Sequence, residues 1–135
     1  MRKLTRAAVV WLLPILAWTG CDRSSRPVAG DFRLRQLTTA AAGGGTRITY
    51  ELWNTARPEN EVAWSGEVLR LGWDARYIVV LRAAPPTPYG VKAGWVVIDV
   101  AGSTQSPVLT EAELRQQPNG ANITSYRADS AWTKL

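Results

Sequence analysis

Hydrophobic and polar positions alternate with period two through much of the chain after residue 30. Residues 31–37 set Phe32 and Leu34 against Arg33 and Arg35, and residues 46–53 set Ile48, Tyr50 and Leu52 against Thr49 and Glu51. Residues 66–73 place Leu69, Leu71 and Trp73 on one face and Arg70 on the other. Such alternation predicts half-buried strands. Two further runs, 76–82 (RYIVVLR) and 95–100 (WVVIDV), are apolar on both faces, the second interrupted only by Asp99. They predict central strands covered on both sides.

The breaks between these runs carry turn chemistry. Residues 39–45 (TAAAGGG) read as a glycine-rich hairpin loop, 54–60 contain Pro58, and 83–94 hold Pro85, Pro86, Pro88 and Gly90. Thr110 and Glu113 have capping-box spacing, and Pro118-Asn119-Gly120 stops the helix that they open. Its clearly apolar residues are Ala112 and Leu114, which predicts a peripheral helix. Residues 123–126 add a short strand. The expected fold is α+β and mainly β: a single antiparallel curled sheet or partly open barrel of about five to six strands with one short C-terminal helix. Residues 30–135 form one domain, and Trp53, Trp64, Trp73, Trp95 and Trp132 are expected to supply much of its apolar area.

The amino terminus follows different rules. Arg2, Lys3 and Arg6 precede an uncharged run over residues 7–18. That run is within the roughly 7–15 residues of a secretory core and short of the roughly 20 needed to span a bilayer. Pro14 also removes a backbone donor from it. Trp18-Thr19-Gly20-Cys21 then resembles the cleavage box of bacterial lipoprotein signal peptides, with Trp where Leu is usual. The resemblance implies removal of residues 1–20, a diacylglycerol on the Cys21 sulfur and a frequently acylated new amino terminus. An ordinary signal peptide with an incidental Cys, or an uncleaved anchor, are the alternatives. Residues 21–29 are then the lipidated Cys and a polar tether. Arg23 and Arg26, with Arg33 and Arg35, either touch anionic headgroups or belong to a solvated linker. Asp22 leans the localisation toward the inner membrane, by the rule some Gram-negative lipoproteins follow.

Residues 71–117 also resemble a family of small, uncharacterised bacterial lipoproteins. The likeness is carried by Gly72-Trp73-Asp74, Tyr77-Ile78-Val79-Val80, Pro88-Tyr89, Val97-Ile98-Asp99 and Leu109-Thr110-Glu111-Ala112-Glu113. It implies a fold and an anchor, and no mechanism.

Composition narrows the chemistry. The 135 residues are 46% hydrophobic and 20% charged, which reads as globular. The net charge of +5 belongs largely to the leader: without Arg2, Lys3 and Arg6, 13 basic side chains face 11 acidic ones. A nucleic-acid partner is therefore not expected. The absence of His and the single Cys exclude Ser-His-Asp and Cys-His catalysis, internal disulfides and Cys/His zinc sites. No cofactor, metal or catalytic residue is assigned. Glu67, Asp74 and Asp99 lie in or beside strands and are the candidates for paired carboxylates in glycoside hydrolysis. Against that, Asp74 suits a turn, and Asp99 is either a buried acid or the first outward residue of its strand end. Trp64 and Tyr89, both outside the strand alternation, are the candidate partner-binding residues; local packing and edge cover are their structural alternatives.

The expected function is that of a membrane-anchored envelope lipoprotein facing the periplasm or exterior. It acts as a non-catalytic accessory or binding module for an envelope protein or cell-wall partner. An inhibitor or immunity lipoprotein against a cell-wall lytic enzyme is the alternative, although Ser65-Gly66-Glu67-Val68 lacks the Tyr such lysozyme inhibitors carry. A carboxylate-based cell-wall hydrolase is the third reading.

Overall fold

The computed structural model describes residues 25–56, 66–83 and 93–135. Cys21, Trp64 and Tyr89 lie outside them. Among the described residues the chain runs β1 (Ser25–Ala29), β2 (Phe32–Ala40), β3 (Thr46–Asn54), β4 (Val68–Trp73), β5 (Tyr77–Arg82), β6 (Gly94–Asp99), β7 (Thr104–Gln105), α1 (Glu111–Gln116), β8 (Ser125–Arg127) and α2 (Ala128–Lys134). The mainly β, antiparallel character expected from the pattern is what forms. The strands divide between two open sheets, ordered β1-β2-β3 and β7-β6-β5-β4-β8.

The division follows from the connections. β2 and β3 pair in unbroken register from Phe32↔Asn54 to Ala40↔Thr46. Gly43, Gly44 and Gly45 close that hairpin with φ of +89°, +95° and +90°, a left-handed run that residues with a Cβ resist. Residues 55–67 separate β3 from β4 in the sequence, and β4 opens a second sheet. Apolar faces then decide the packing. Phe32, Leu34 and Leu52 from the first sheet meet Leu71, Ile78, Val80, Val96 and Ile98 from the second, all at most 1% exposed. Burying such side chains is the main stabilising contribution, roughly 1.5–3 kcal/mol each.

β5 and β6 are covered on both sides, as their apolar runs predict. Their opposite face carries Val79, Trp95 and Val97, which pack with Leu109 and with Leu114 of α1. Thr110 and Glu113 form the expected capping box: the Glu113 amide donates to Thr110 Oγ1 at 3.2 Å, and the Thr110 amide to Glu113 Oε1 at 3.3 Å.

Four local readings are corrected. The stretch read as a tether contains β1. Arg26 stacks 4.5 Å from the Trp132 ring and donates to the Trp132 carbonyl, while Arg33 bonds Ser25, so the segment has side-chain reasons to join the sheet. A second helix, α2, ends the chain and buries Ala128 and Ala131; it has no side-chain cap, which left it without a start signal in the sequence. Leu69 does not share the buried face of Leu71. A register shift between Val68 and Arg70 turns Leu69 outward to 43% exposure, and Val68 is buried instead. The core is aliphatic rather than tryptophan-built: Trp95 is buried, whereas Trp53, Trp73 and Trp132 are half-buried.

Candidate functional site

Every side chain weighed as a catalyst has a structural occupation. Asp74 Oδ1 accepts from the amides of Arg76 at 2.8 Å and Tyr77 at 2.7 Å, closing the β4–β5 turn. Asp99 ends β6, opposite Tyr77, and accepts from the Ala101 amide at 3.2 Å. It is the outward residue of a strand end. Glu67 precedes β4 and bonds Arg47 at 2.6 Å.

These carboxylates do not converge. Val68, next to Glu67, pairs with Arg82, while Asp99 pairs with Tyr77 at the other end of β5. Five strand steps separate those positions, about 17 Å. No cluster of three or more potential metal ligands occurs among the described residues. The hydrolytic geometry entertained from the sequence is therefore not assembled from Glu67 and Asp99.

Two surface regions have other chemistry. At the Asp74 end, a groove of about 380 Å³ is lined by Trp73, Asp74, Asn122 and Tyr126 among others. The Trp73 and Tyr126 rings stand 6.1 Å apart at 57°, and Lys134 Nζ lies 4.6 Å from the Tyr126 ring. Trp73 had read as a core residue. Its position at the strand end, where the sheet stops being covered, leaves it half-buried. Half-buried aromatics beside polar side chains are the usual lining of a recognition groove.

At the opposite end lies Arg82. It shares the face of Ile78 and Val80 by strand alternation, and so faces the space between the sheets. It is 5% exposed, and its Nε has no hydrogen-bond partner. Burial pulls its guanidinium below the ordinary pKa. The sequence reading of the run 76–82 does not single out Arg82. Its parity with Val80 was the available signal.

The segment that carries Trp64 rejoins the described residues at Gly66, and the one that carries Tyr89 departs from Ala83. No protein-family model matches the chain, and no curated protein or solved structure resembles it significantly.

Proposed function

We propose that the chain is a lipid-anchored module of the bacterial cell envelope that faces the periplasm or exterior and binds an envelope or cell-wall partner without catalysis of its own. The observation that carries this reading is Cys21, the sole Cys, directly after an uncharged run and Thr19-Gly20. Two or three acyl chains at one residue give stable membrane attachment where a single chain gives marginal binding. The start of β1 at Ser25 supports the reading, because four residues reach at most about 14 Å and hold the first sheet close to the bilayer. Confinement at a surface raises local concentration, so a weak recognition surface suffices. The Trp73–Tyr126 groove is the described surface whose lining suits that role.

Metabolic labelling with a radioactive fatty acid, followed by membrane fractionation, tests the anchor. Wild type incorporates label. Cys21→Ser incorporates none and accumulates as precursor or soluble protein. A Cys21→Ser chain that is labelled, or that stays on membranes as tightly as wild type after processing, overturns the reading.

A further inference from the structure

The groove at the Asp74 end joins an aromatic wall to polar groups that the fold leaves unused. Trp73 and Tyr126 are half-buried and their rings meet at 57°, so together they form an angled apolar wall. Around it stand a carboxylate, an amide, a hydroxyl and an ammonium, those of Asp74, Asn122, Thr124 and Lys134. Asp74 commits Oδ1 to the amides of Arg76 and Tyr77, which fixes the carboxylate and leaves Oδ2 without a hydrogen bond among the described residues. Asn122 and Thr124 are exposed, and their side chains make no hydrogen bond among the described residues.

The backbone holds these groups in place. A Cβ at Gly72 would stand 2.5 Å from the Thr124 carbonyl oxygen and 2.9 Å from Ile123 Cγ2. Only a residue without a side chain lets that segment lie so close to β4. The ladder pairs Gly72 with Ser125, which sets Thr124 beside the Trp73 end of the strand. A site supported by a sheet is held more precisely than one on a free loop.

Charge and shape narrow the ligand. An anion meets Asp74, and a cation meets Lys134, whose Nζ already lies 4.6 Å from the Tyr126 ring. A neutral ligand is compatible with both. The rings call for a flat apolar face. The rim, with a fixed acceptor, a donor and two groups that do both, calls for an edge that donates and accepts. A pyranose with equatorial hydroxyls has both: its C–H bonds make the face and its hydroxyls the edge. The groove's volume of about 380 Å³ is within the roughly 300–1,000 Å³ of small-molecule sites.

We propose that this groove is a subsite for one neutral sugar ring of a glycan, with Trp73 stacked on its apolar face and Asp74 Oδ2, Asn122 and Thr124 bonded to its hydroxyls. The proposal rests on the binding-module reading and names the ligand; it does not depend on acylation of Cys21.

The test titrates the full-length chain, in a polyoxyethylene detergent without a sugar headgroup, with the β-1,4-linked tetramer of N-acetylglucosamine by calorimetry. Wild type binds with a Kd of about 1 mM or below. Asp74→Asn, which keeps the oxygen that closes the turn and loses the charge, binds about tenfold more weakly. Asn122→Ala binds about threefold more weakly. Both variants melt within about 4 °C of wild type, so the loss is one of binding and not of folding. The proposal is overturned if wild type does not bind the tetramer, or if both variants bind it as wild type does. It is equally overturned if a synthetic cell-wall stem peptide binds through these residues in place of the tetramer, a result that leaves the binding module standing. Tetramer binding by Cys21→Ser supports the proposal whatever becomes of the anchor.

Discussion

The two ends of the five-stranded sheet hold their polar groups in different ways. Near Tyr77 and Asp99, Asp74 accepts from two amides and Asp99 from one, and Asn54 of the first sheet is bonded through both amide atoms. Near Arg82, a side chain only 5% exposed has an Nε without a partner, while the adjacent acid, Glu67, is tied to Arg47. The same sheet and the same intersheet core serve both ends, so the difference is not one of fold. Satisfied polar groups fix a structure, and an unsatisfied charge of several kcal/mol is tolerated only where something else compensates it. The contrast separates an end closed by turn hydrogen bonds from one built around a buried guanidine nitrogen.

That comparison presumes a rigid frame between the ends, and Val79 sits in the middle of it, 1% exposed in the central strand. Val79→Asp places an unpaired charge among Trp95, Val97 and Leu109 and is expected to destabilise by about 3–5 kcal/mol, enough to unfold a domain of this size. Circular dichroism on heating checks it. A wild-type melting curve would show that β5 is not a load on the core, and the two ends would lose their common frame.

Asn54→Leu is expected to be the next largest effect. It removes both hydrogen bonds of a side chain that is 0% exposed, for a loss of about 1–3 kcal/mol. Urea unfolding measures this. The sign is what matters: Arg82→Met, at the other end, is expected to leave stability unchanged or raise it. If both substitutions destabilise alike, the two ends are equivalent and the contrast fails.

Much of this was legible in the sequence, and the limits have physical reasons. The paired hairpin β2–β3, the doubly covered β5 and β6 and the Thr110 capping box all follow from local pattern, because period, apolar run length and cap spacing are local quantities. The bulge at Leu69 was not legible, since an extra residue in a ladder is set by the partner strand and not by the strand itself. β1 read as a tether because its contacts, Arg26 with Trp132 and Arg33 with Ser25, include one across more than a hundred residues of sequence. For the same reason Asp99 and Glu67 could be imagined together, although the ladder puts them at opposite ends. Alternation gives the face of Arg82, but only the folded surroundings show that the side chain is 5% exposed and that its Nε lacks a partner.

The smallest expected effect concerns the Arg47–Glu67 bridge. Among the described residues it is the one ion pair that joins the two sheets, with side chains 61% and 30% exposed. Its length of 2.6 Å suggests strength, but exposure argues the other way. Water solvates both groups when they part, and fixing two long side chains costs entropy, so such pairs contribute about 0.2–1 kcal/mol. The intersheet apolar contacts of Phe32, Leu34 and Leu52 far outweigh that. Arg47→Ala is therefore expected to lower stability by no more than about 1 kcal/mol, with the loss shrinking in high salt as screening removes what the pair supplied. Chemical unfolding at low and high ionic strength measures both quantities. A loss above about 2 kcal/mol that salt leaves unchanged would mean that the bridge holds the sheets in place. Glu67 would then belong to the structure of the Arg82 end, and that end, like the other, would be held by its polar groups.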